Sequence, residues 1–69
     1  MTPALFEVLK NLRSTVSDMK RTIARYEAGE VLIYEGGRDA SGALVEALRA
    51  LVSDHEETVS KFDPEGLTA

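Results

Sequence analysis

The chain has 69 residues, 43% of them hydrophobic, no Cys and a formal net charge of -4. A chain of that length supports one domain whose core contributes only a few kcal/mol (roughly 3 to 5), so small scaffolds of this kind lean on disulfides, a metal or association. With no Cys there is no disulfide framework and no thiolate to hold zinc or act as a nucleophile, which leaves association.

The charge is unevenly spread. Residues 1–28 hold five basic against three acidic side chains, a balance of +2, and residues 29–69 hold three against nine, a balance of -6. An acidic total argues against a surface devoted to nucleic acid, which needs a basic footprint. The start, Met1 to Glu7, lacks a basic n-region and Glu7 breaks its apolar run, so no signal peptide is expected. The apolar run Val31 to Tyr34 is far shorter than the roughly 20 residues that cross a bilayer. The expected location is the cytoplasm or the inside of a virion, without a membrane partner.

Thr2 followed by Pro3 is a helix start, because Thr caps free N–H groups and Pro at the first position loses no needed donor. No Gly or Pro follows until Gly29. Over that stretch Leu5, Leu9, Leu12, Val16, Met19, Ile23 and Tyr26 recur at alternating steps of four and three, which fits a heptad repeat and excludes a two-residue strand period. The spacing predicts a helix over about 3–28, with Leu9, Val16 and Ile23 at position a and Leu5, Leu12, Met19 and Tyr26 at d. Arg13, Lys20 and Glu27 fall at e and Val8, Thr15 and Thr22 at g, so a parallel self-pair would lack the usual charge code between those rows.

Residues 29–40 form a connector longer than most in helical bundles. Its Val31-Leu32-Ile33-Tyr34 run, closed by Gly36-Gly37, reads as a short strand or extended segment that must bury Leu32 and Ile33 or their neighbours. The second helix is expected over about 41–62, capped by Asp39 or Ser41 and stopped by Asp63-Pro64. Val45, Leu48, Val52, His55, Val59 and Phe62 continue the heptad spacing, and Leu44 and Leu51 broaden the face. Residues 64–69 show no periodicity and are expected to be a flexible tail.

Few residues suggest chemistry. His55, the one imidazole, is flanked by Asp54, Glu56 and Glu57, but helical neighbours point about 100° apart and cannot converge on one ion. Its place in the apolar stripe makes it a seam histidine. Gly36-Gly37 has neither a Walker lysine nor a GxGxxG pattern around it and reads as a turn. No catalytic, cofactor-binding or metal-binding residue is assigned, and the chain is not expected to be an enzyme. Arg13, Lys20, Arg21 and Arg25 are the candidate polyanion contacts, although they spread over several helix faces.

The fold class expected is mainly α, a helical hairpin of two long amphipathic helices joined by an extended, strand-like connector within residues 1–63. Two or more hairpins would complete an oligomeric bundle. In helix number and length the chain resembles the small plasmid RNA-binding hairpins that dimerise into a bundle, and its extended segment between helices is similar to that of small phage head-tail joining proteins. The expected function is a non-catalytic structural or adaptor subunit, such as a phage particle accessory protein, that binds itself and another protein of a larger assembly. The interface would comprise the two heptad stripes with Leu32 and Ile33. The alternative is a small regulator or inhibitor that binds nucleic acid or a target protein through the basic face of the first helix.

Overall fold

The computed structural model describes residues 1–69. Helix α1 spans Pro3–Glu27, and Thr2 starts it by accepting the Leu5 N–H on its Oγ1 at 3.2 Å. It ends where the sequence first offers Gly. Gly29 takes φ +75°, its N–H donates to the Tyr26 carbonyl, and the Glu30 N–H donates to the Arg25 carbonyl. That pair of bonds is a Schellman motif, which satisfies carbonyls that the helix end would otherwise leave free.

The connector contains a small antiparallel strand pair, β1 at Tyr34–Glu35 and β2 at Arg38–Asp39. Gly36 and Gly37 between them have φ +58° and +78°. Two consecutive left-handed residues are what a type I′ hairpin turn requires. The strand therefore lies further along than the Val31 to Tyr34 run suggests. Turn geometry sets the pairing, and only Tyr34 of that run belongs to it. Nor does the connector bury Leu32, which stays exposed while Val31 and Ile33 are half-buried.

Helix α2 spans Ser41–Phe62. Its N-cap residue is Ala40, which makes no side-chain cap bond, so the two residues expected to cap stand on either side of that position instead. Asp39 Oδ1 accepts the Ser41 N–H at 2.9 Å, and the buried Ser41 Oγ accepts the Ile33 N–H at 2.9 Å, so the connector is tied to the helix it leads into. The two Ser41 contacts, backbone first, hold the Asp39 carboxyl below its ordinary value.

The helices lie side by side and antiparallel, giving a rod of 48 × 17 × 17 Å. Its buried apolar side chains are Leu9, Val16, Ile23, Val52 and Val59. No helix is long and apolar enough to cross a membrane.

Residues 64–69, expected to be flexible, are folded back against α1. The Asp63 side chain, 1% exposed, accepts the Leu67 N–H on Oδ1 at 2.8 Å, and on Oδ2 the Thr68 N–H at 2.8 Å and the Thr68 hydroxyl at 2.5 Å. Arg13 locks the turn from across the hairpin. Its Nη2 donates to Asp63 Oδ2 at 3.2 Å and its Nε to Thr68 Oγ1 at 2.6 Å. Hydrogen bonding to a carboxylate supplies order that hydrophobic periodicity does not reveal.

Candidate docking face

The heptad positions sort the hairpin into two unlike sides. All five buried apolar residues occupy position a: Leu9, Val16 and Ile23 of α1, Val52 and Val59 of α2. The d residues Leu5, Leu12, Met19, Tyr26, Leu48 and His55 are only half-buried, and Phe62 is 50% exposed. Val45, at a near the connector, is also half-buried and packs against the core beside Met19 and Leu48. The helices thus meet through their a rows, with Met19 and Leu48 of the d rows packed against them and the e residues Lys20, Glu27, Arg49 and Glu56 at the exposed edge of the contact.

The e side is closed by a ladder of ion pairs. Arg13 Nη2 lies 3.2 Å from Asp63 Oδ2, Lys20 Nζ lies 3.4 Å from Glu56 Oε2, and Arg49 Nη2 lies 2.6 Å from Glu27 Oε1. Positions 13, 20 and 27 advance by seven along α1 while 63, 56 and 49 retreat by seven along α2. That is the e to e register of an antiparallel coiled coil. The charge code missing from a parallel self-pair is therefore present within one chain, between its own helices. The signal was available in the sequence as Arg49, Glu56 and Asp63, whose signs mirror those of Glu27, Lys20 and Arg13.

The d and g rows form the other side. Along α1 they read Leu5, Val8, Leu12, Thr15, Met19, Thr22 and Tyr26, and along α2 Leu44, Leu48, Leu51, His55, Thr58 and Phe62. No Asp, Glu, Lys or Arg occurs among them. Val8 is 53% and Leu51 45% exposed, so the face carries large apolar side chains in contact with water. With the half-buried d residues beside them, these side chains make the face a candidate binding surface.

The candidate polyanion residues are each paired with a carboxylate of the same chain. Besides the Arg13 and Lys20 pairs, Arg21 lies 3.7 Å from Asp18 and Arg25 lies 3.9 Å from Glu30. Lys10 holds its Nζ 5.7 Å from the centroid of the Phe6 ring. The groove over the ladder is lined by Arg13, Lys20, Glu56 and Asp63, charges that already meet one another. At Asp63 the Thr68 hydroxyl is the main influence holding the carboxyl well below its ordinary range. Burial opposes it, and the Thr68 and Leu67 N–H groups and Arg13 add to it.

His55 sits half-buried at d midway along α2, while its neighbour Glu56 turns to Lys20 on the opposite side. Leu32 and Tyr34 add a second exposed apolar area at the connector end of the rod. No protein-family model matches the chain, and neither a curated protein nor a solved structure matches it.

Proposed function

We propose that the chain is a non-catalytic structural or adaptor subunit that self-associates and docks into a larger protein assembly. The observation that carries this reading is the separation of charge from apolar surface. Every ion pair between α1 and α2 lies on the e side or its C-terminal extension, and the d and g rows keep large aliphatic side chains exposed and free of Asp, Glu, Lys and Arg. A face with that composition loses water favourably when another apolar face covers it, at about 25 cal/mol per Å².

The test is sedimentation of a gently prepared lysate from cells that make the chain naturally, with the chain followed by antibody. The wild-type chain is expected in a particle well beyond two copies of 7.5 kDa, and V8E/L51E is expected to leave that particle. Both substituted positions are exposed on the hairpin, so the charges strike the face rather than the core. A wild-type chain that sediments no faster than a free chain or a pair of chains removes the docking role.

A further inference from the structure

We infer that the d and g face is covered by a second copy of this chain, joined about a two-fold axis into a four-helix bundle, which leaves the Leu32 and Tyr34 ends for other proteins. The inference rests on the reading of that face as a docking surface and names its occupant.

Area is the first support. The hairpin exposes 4975 Å². A compact monomer of 7.5 kDa exposes about 4,250 Å². The excess is about 700 Å², close to the roughly 800 Å² that each partner buries in a standard interface. One partner of the hairpin's own size is enough to remove it.

The core supplies the second. Five buried apolar side chains in 69 residues make a thin core, and the half-buried d residues next to them are core residues with one side open. A partner that completes the core has to be present whenever the chain folds. A second copy always is.

Charge supplies the third. In a two-fold contact the same patch meets itself, so any charge near the axis meets its own kind. The d and g rows hold no Asp, Glu, Lys or Arg to repel their counterparts, whereas the e rows already pair within the chain and need nothing from outside. Two such faces pack as helices about 20° from antiparallel, the arrangement that heptad stripes serve.

Sedimentation equilibrium of the purified full-length chain tests this, with V8E/L51E, V8K/L51K and E57K run beside it. Glu57 is exposed on the outer side of α2. The wild type and E57K are expected as dimers. Each double substitution places like charges face to face and is expected to raise the dissociation constant about a hundredfold or more. Mixing the Glu and Lys double variants is expected to restore a dimer containing one of each, which distinguishes repulsion at the face from damage to the fold. A wild-type chain that is monomeric and unfolds cooperatively overturns the second copy as occupant, and with it the self-association, while the lysate particle separately decides the docking into a larger assembly. A dimer that survives either double substitution overturns the assignment of the face.

Discussion

Asp63 shows how one residue adjusts its surroundings to its charge. Its carboxylate is 1% exposed and accepts from the Thr68 hydroxyl, two backbone N–H groups and Arg13, so the ionised form is strongly preferred in the folded chain. The folded value lies below the unfolded value of about 4, so the carboxylate's contribution to stability is complete above pH 4 and drains away as the pH falls below it. Urea midpoints of the wild type at pH 7 and pH 3 should therefore differ more than those of D63N, which has no charge to lose. A difference of the same size in both proteins would mean that the turn at residues 63–68 does not depend on the charge. Leu9 offers a contrasting case, 1% exposed and without polar partners. Leu9→Ala should cost about 3.5 kcal/mol of unfolding free energy in urea titration, the middle of the range for a buried leucine.

At the scale of elements, the ladder between the helices orients the hairpin more than it stabilises it. Glu27 and Arg49 make its shortest rung, at 2.6 Å, yet both side chains are about half exposed. An exposed pair of this kind contributes roughly 0.5 kcal/mol. A double-mutant cycle with E27A, R49A and the combination should return a coupling near that value, shrinking in high salt as screening increases. The ladder also shows which parts of the fold were legible in the sequence. Both helices were, with bounds within a residue, because heptad spacing, Thr2-Pro3, Gly29 and Asp63-Pro64 are local signals. The strand pair was misplaced because the apolar Val31 to Tyr34 run is more conspicuous than the Gly36-Gly37 turn that sets the register. Order in residues 64–69 was missed because it depends on Arg13, fifty residues from Asp63 in the chain. Of the face itself, the stripe could be read directly. Its division into a buried a row and a half-buried d row could not, because that depends on how the two helices rotate against each other.

The whole molecule is long for its mass. Its radius of gyration is 14.8 Å, where a compact domain of 69 residues has about 11 Å. A rod two helices wide has no interior beyond the line where those helices touch, so closing the d row with a second hairpin would widen the core without lengthening the chain. Folding and pairing would then be linked, and thermal stability would depend on concentration, as it does not for a monomer. Each tenfold increase in chain concentration shifts a two-state dimer by about 1.4 kcal/mol. Two chains of 69 residues unfold with an entropy near 2.1 cal/mol/K per residue, so a hundredfold increase should raise the melting midpoint by roughly 9 °C. Calorimetric scans across that range check the shift directly. A midpoint that stays fixed while the transition remains cooperative would show that the thin core of a single hairpin is sufficient by itself.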